Sequence, residues 1–115
     1  MTEPFDKQEL LDELDGDREF LEESLEILAG DAPPLLEQLR DATAGRDGEA
    51  VRQAAHTLKS MVGNFCAKPA FDAARRIEQL GRDGDLEQGA EAIDALKREM
   101  ERLQQSLHGF LKELS

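Results

Sequence analysis

Residues 93–114 read IDALKREMERLQQSLHGFLKEL, and within them Ile93, Leu96, Met100, Leu103, Leu107, Phe110 and Leu114 recur at alternating steps of 3 and 4. That spacing returns an apolar side chain to one helix face on every turn. Most other positions in the run are charged or amide residues. The run therefore predicts a long amphipathic helix whose single apolar stripe needs other helices to cover it.

Upstream, the same period recurs. Lys68-Pro69 opens a helix with Pro in the first turn, where its missing N–H costs nothing; its stripe is Ala70, Ala73, Ala74, Ile77 and Leu80, and Gly81 and Gly84 flank the turn after it. Before it, a helix from about Gly48 to Phe65 carries Val51, Ala54, Ala55, Leu58, Met61, Val62 and Phe65. Further back, Leu21, Leu25, Leu28, Ala32, Leu35, Leu39 and Ala42 step by 4 and 3, with Asp17 as N-cap and Gly45 to Gly48 as the stop. Pro33-Pro34 interrupts this run without shifting its phase. The expectation is one helix kinked near 30–34, or two coaxial pieces with Asp31 capping the second. Phe5, Leu10, Leu11 and Leu14 fit a short first helix stopped by Asp15-Gly16-Asp17. No alternating β-branched run occurs, so no sheet is expected. Short connections make sequential helices antiparallel. The fold class is all-α: an antiparallel up-down four-helix bundle preceded by a short N-terminal helix, in one domain over 1–115.

The 115 residues carry 14 Lys+Arg against 26 Asp+Glu, a net charge of −12. Such a chain does not track a phosphate backbone, which excludes nucleic acid as a general partner, and it is repelled by anionic membrane. Apolar content of 39% suffices for a core. No run reaches membrane-spanning length, the N-terminus is acidic rather than signal-like, and a single Cys gives no internal disulfide; a cytoplasmic setting is expected. The charge is uneven. Residues 1–50 are net −12, residues 51–82 net +4 and residues 83–115 net −4. Cations gathered in the middle of an acidic chain suggest a local anion site, with chance variation in charge between helix faces as the alternative.

No phosphate-binding Gly-rich loop and no Glu-x-x-His metal pair is present: the residues three before His56 and His108 are Gln53 and Gln105. His56 stands apart because, at 3.6 residues per turn, it points away from the Leu58–Phe65 stripe. Arg52, Lys59, Ser60 and Gly63 share its outer face. Gly63 within a helix costs about 1 kcal/mol relative to Ala, and as a small residue beside Ser60 it leaves room for another surface to approach the ring. On the next helix Phe71, Arg75, Glu78 and Arg82 follow one flank at steps of 4, 3 and 4. In an antiparallel pair Glu78 can accept a hydrogen bond from one imidazole nitrogen and leave the other free. An idle surface His on a charged helix face is the plain alternative.

The run Ala54-Ala55-His56-Thr57-Leu58-Lys59-Ser60-Met61-Val62-Gly63-Asn64-Phe65-Cys66-Ala67 resembles the active-site helix of histidine phosphotransfer (HPt) domains. Their pattern is His-x-Leu-Lys-Gly followed by Asn, an apolar residue, Gly and Ala. The order of helices matches over nearly the whole chain. Glu78 falls 22 residues after His56, where the family often has a Gln or Glu against the ring, and Arg82 falls where some members have a basic residue. Ser60 and Cys66 stand where the family usually has Gly, which bears on partner fit and on where the helix ends.

The resemblance implies that His56 is a phosphorylated nucleophile acting through Nε2. Lys59 would then stabilise phosphate, Glu78 orient the ring, and Ser60, Gly63, Arg52, Arg75 and Arg82 frame the partner's approach. It also implies response-regulator receiver domains and a sensor or hybrid histidine kinase as partners. The divalent metal would sit on the receiver; the domain would have no cofactor, metal or ATP site of its own and would not be an enzyme by itself. Docking in the family uses apolar surface near the first two helices, for which Leu10, Leu11, Leu14 and Phe20 are candidates, with plain core as their alternative reading. A monomer is expected. The competing function is a non-catalytic docking or scaffold bundle with an idle His56. Kinase dimerisation helices fit worse, since they form a two-helix hairpin and carry an acidic residue where Thr57 follows the His.

Overall fold

The computed structural model describes residues 3–114. Its elements are α1 (Lys7–Leu14), α2 (Arg18–Ala44), α3 (Gly48–Gly63), α4 (Lys68–Asp83) and α5 (Gly89–Glu113), with no strand among the described residues.

Three of the five helices begin on an aspartate. The side chains of Asp6, Asp17 and Asp47 accept hydrogen bonds from the backbone N–H of Glu9, Phe20 and Ala50. Each satisfies one of the N–H groups a helix start leaves open. α4 has Pro69 in its first turn instead. α2 is one continuous helix, which settles the choice left open at Pro33-Pro34. Both prolines and the residues four before them, Ala29 and Gly30, are exposed, so the carbonyls freed there can turn to water.

α3 packs on α2 and α4, and α5 on the same two, so α2, α3, α4 and α5 close a ring around one core; α1 rests on α2. Arg40 near the end of α2 bonds Asp94 near the start of α5, while Arg18 at the start of α2 bonds the carbonyl of Leu111 near the end of α5. The predicted α5 stripe is buried from Ile93 to Phe110, and Leu114 is half-buried. In α2 all predicted positions are buried except Leu35 and Ala42, which are half-buried. Met61, Ala73 and Leu80 are also half-buried, at the edges of their stripes. Phe5 meets Phe110 edge-on at 5.3 Å, and the N–H of Asp6 bonds the carbonyl of Cys66, which pins the segment before α1 to the loop after α3.

Two boundaries differ from the sequence reading. α3 ends at Gly63, with Asn64 as C-cap, and Cys66 takes φ +56°, the left-handed conformation that a Gly would adopt without strain. Gly81 lies inside α4 and is buried rather than flanking the turn. A Cβ on Gly81 would stand 2.7 Å from the Gly48 carbonyl oxygen and 2.8 Å from the Arg52 nitrogen. The start of α3 and the end of α4 thus touch backbone to backbone, which brings the outer faces of the two helices close together.

Candidate functional site

The α3–α4 face carries the site. His56 leaves α3 away from the core, and 57% of its side chain is exposed. Glu78 leaves α4 toward it from the other side. Its Oε2 lies 2.6 Å from His56 Nδ1, and its Oε1 accepts from Lys59 Nζ at 2.8 Å. The Glu78 side chain is only 7% exposed, and it is the single buried charged residue among those described. A buried carboxylate is costly unless its oxygens are satisfied. Here each oxygen has one partner.

Protonation follows from this geometry. The Lys59 ammonium beside Glu78 holds its carboxyl below the usual carboxylate range, against the opposing effect of burial, and the His56 hydrogen bond adds to the depression. An ionised carboxylate can only accept. His56 Nδ1 must therefore carry the shared proton, which in the neutral form of the ring leaves the lone pair on Nε2. Nε2 makes no hydrogen bond among the described residues, on a side chain that is largely exposed. The arrangement gives the neutral ring a fixed tautomer with one nucleophilic nitrogen.

Lys59 is placed differently from the expectation of an exposed cation beside the ring. Its side chain is 19% exposed, its ammonium is bonded to Glu78, and it lies 5.8 Å from the centroid of Phe71. Gly63 lies beside Phe71 of α4: a Cβ there would meet the Phe71 ring at 3.4 Å, an ordinary van der Waals contact, so the ring itself does not require a glycine. The ring of Phe71 thereby backs both Lys59 and Gly63. The sequence reading placed Phe71 on the correct flank but gave it no task.

The remaining predicted residues surround this centre without touching the ring. Ser60 is exposed on the same helix face. Arg52 is bound to Glu49, which lowers the Glu49 carboxyl and raises the Arg52 guanidinium. Arg75 leans 3.6 Å from Asp72, and Arg82 is exposed in the last turn of α4.

Beside Asn64, on the α2 side of α3, a groove is lined by Leu14, Phe20, Ile27, Met61 and Phe65. Leu10 and Leu14 are core and Leu11 is half-buried, whereas Phe20 is 59% exposed. Of the four docking candidates, Phe20 is the one held out to solvent. Ile27, 60% exposed, stands with it and was missed. The available signal was its phase, seven residues from Phe20 and off the Leu21–Leu25–Leu28 stripe.

Among the described residues one group of side chains could hold a metal ion: Glu9 and Glu13 of α1 with Cys66, just beyond the end of α3. Burial, together with Glu13 and Glu9, pushes the Cys66 thiol up to about 12, so it stays protonated and is a poor ligand and nucleophile at neutral pH. No described helix is long and apolar enough to cross a membrane.

A family model described as the Hpt domain matches residues 8–106. No curated protein and no solved structure matches the chain.

Proposed function

The chain belongs to the Hpt domain family, whose work is histidine phosphotransfer in phosphorelay signalling, and we propose on that basis that His56 is its phosphoacceptor. The observation that carries the proposal is the 2.6 Å contact between Nδ1 of a largely exposed ring and the buried Glu78 carboxylate. In the proposed reaction the Nε2 lone pair attacks the phosphorus of a receiver's aspartyl phosphate. The N–P bond forms, the P–O bond breaks, and the departing electron pair returns to the aspartyl carboxylate. The ring keeps its Nδ1 proton and gains positive charge, which Glu78 faces directly. Transfer to a second receiver is the reverse.

Phosphoryl transfer asks for positioning and charge stabilisation rather than covalent help. The receiver would supply the aspartate and the divalent metal. This domain would supply the ring and, from Arg52, Arg75 and Arg82, positive potential around a phosphate of nearly two negative charges. The Phe20–Ile27 groove is the surface on which a receiver, free or within a hybrid histidine kinase, would dock, and Ser60 and Gly63 lie on the approach to the ring. The domain would act as a carrier without an ATP site, as one antiparallel up-down four-helix bundle with α1 in front, and as a monomer in the cytoplasm.

The test is to mix the domain with a receiver charged by acetyl phosphate and measure intact mass before and after brief acid treatment. An acid-labile gain of one phosphoryl group, absent in His56→Gln, is expected. No gain with several charged receivers would favour a scaffold bundle with an idle His56.

A further inference from the structure

The Phe20–Ile27 groove has an acidic rim. Glu23 stands between Phe20 and Ile27 along α2, at steps of 3 and 4, and Asp31 stands one turn beyond Ile27 on the same line. Both are exposed, and neither has a cation partner among the described residues. Glu13 of α1, also exposed, lines the groove itself, and no Lys or Arg does. Residues 8–39 hold eleven acidic side chains and one cation, Arg18, which is bonded to Glu22 and to the carbonyl of Leu111. We propose that this rim selects the partner: the groove takes a receiver domain whose exposed apolar patch is flanked by Lys and Arg. The inference rests on the docking role given to the groove above. What it adds is the charge of the partner, with Glu13, Glu23 and Asp31 as the residues that set it.

Apolar contact gives a groove affinity but little choice, since one apolar patch fits it much as another does. Choice comes from charges at the rim, where like charges brought together reject a partner and opposite charges speed its arrival. Exposed rim charges act within a screening length of about 8 Å at physiological ionic strength, so their effect is salt-sensitive. A second copy of this chain, of net charge −12, would set the same acids against each other and is repelled. A receiver with an acidic flank is repelled in the same way. Orientation follows from the same division of charge. The acids of the rim belong to α1 and α2, whereas Arg52, Arg75 and Arg82 belong to α3 and α4. A receiver that sets its basic flank on the rim and its anionic phosphoryl group over the α3–α4 face matches both ends. Turned end for end, it would match neither.

The experiment titrates the domain with receiver domains by calorimetry and measures phosphoryl transfer from the same receivers charged with acetyl phosphate, at low and at high salt. The receivers are of two kinds, with the exposed apolar patch flanked by Lys and Arg in one and by Asp and Glu in the other. The variants are the double reversal Glu23→Lys/Asp31→Lys and, separately, Phe20→Ala. Wild type should bind the basic-flanked kind about ten-fold more tightly, and the preference should shrink as salt rises. The double reversal should lower kcat/KM for basic-flanked receivers about ten-fold, through KM rather than kcat, and raise it for acidic-flanked ones. Equal binding of both kinds by wild type would overturn the inference. So would an unchanged preference in a double-reversal protein that melts like wild type. Phe20→Ala keeps the two readings apart. If it abolishes binding while the reversal changes no preference, the groove docks receivers without choosing by charge, and the inference alone falls. If neither change affects binding, the docking role falls with it. Charge-dependent binding of receivers that never label His56 would uphold the rim and defeat the phosphoacceptor reading.

Discussion

At His56 the two ring nitrogens have unlike surroundings, and that difference makes the residue usable. Nδ1 is held by a buried carboxylate and Nε2 has no hydrogen-bond partner among the described residues, so the neutral ring is fixed in one tautomer and one orientation. His56→Gln replaces a largely exposed side chain with one whose amide can still donate to Glu78; it should stay within about 1 kcal/mol of wild-type stability and take no label, which denaturant melts and intact mass check together. Glu78 ties the site to stability. Its carboxyl is depressed by Lys59, so the stabilisation it provides is present above its ordinary value of 4.5 and is lost as pH falls through the depressed one. Urea unfolding followed from pH 6 down to pH 3 should therefore show less acid-linked loss in Glu78→Gln than in wild type; parallel curves would contradict the assignment. Cys66 is strained rather than reactive. Its φ of +56° costs an L-residue about 1–2 kcal/mol. Cys66→Gly should consequently be more stable than Cys66→Ala by about 1 kcal/mol, and the reverse order in denaturant would refute the strain.

At the scale of elements, the site depends on how closely α3 and α4 approach. Gly48 and Gly81 let the two backbones touch, and the same approach sets the gap that Glu78 spans to reach His56. Gly81→Ala places a methyl group against backbone atoms that cannot rotate away. It should cost about 1–3 kcal/mol, as overpacking does. It should also weaken the His56–Glu78 contact, visible as a changed ring titration. A neutral Gly81→Ala would show that the helices have room to spare. The limits of sequence reading lie at this scale. The Ile93–Phe110 stripe and the Asp17 cap were legible because each is a local pattern with a local cause. The Gly81 contact was not, because a glycine near a helix end reads as a turn unless the facing backbone is known. Ile27 is not legible in the sequence because it lies off the buried stripe, and nothing local marks an exposed apolar residue there. The pairing of Glu78 with His56 was reachable from helix faces and an antiparallel assumption. The capture of Lys59 by the same carboxylate was not, since a Lys stem is long enough to point either way.

Over the whole molecule, the ring of four long helices keeps one shared core, and the site is built entirely on its outside. Its long dimension of 45 Å is close to the length of α2 alone, so α2 and α5 run most of the molecule, while α3 and α4, of 16 residues each, span about half of it. Stability and function should then separate. Leu103 is fully buried in α5; Leu103→Ala should cost about 2–5 kcal/mol while leaving the His56 titration of the folded protein unchanged. A near-neutral Leu103→Ala would place α5 in the wrong register. The acidic first half and the cation-bearing α3–α4 face divide the surface in the same way, with positive charge gathered where a phosphate would be carried. The most direct test of the central claim is phosphorus–proton correlation NMR on the charged protein, which reports the atom that bears the phosphoryl group. The account predicts phosphorus on Nε2 of His56, with the Nδ1 proton retained toward Glu78. Phosphorus on Nδ1 of His56, or on His108, would contradict it.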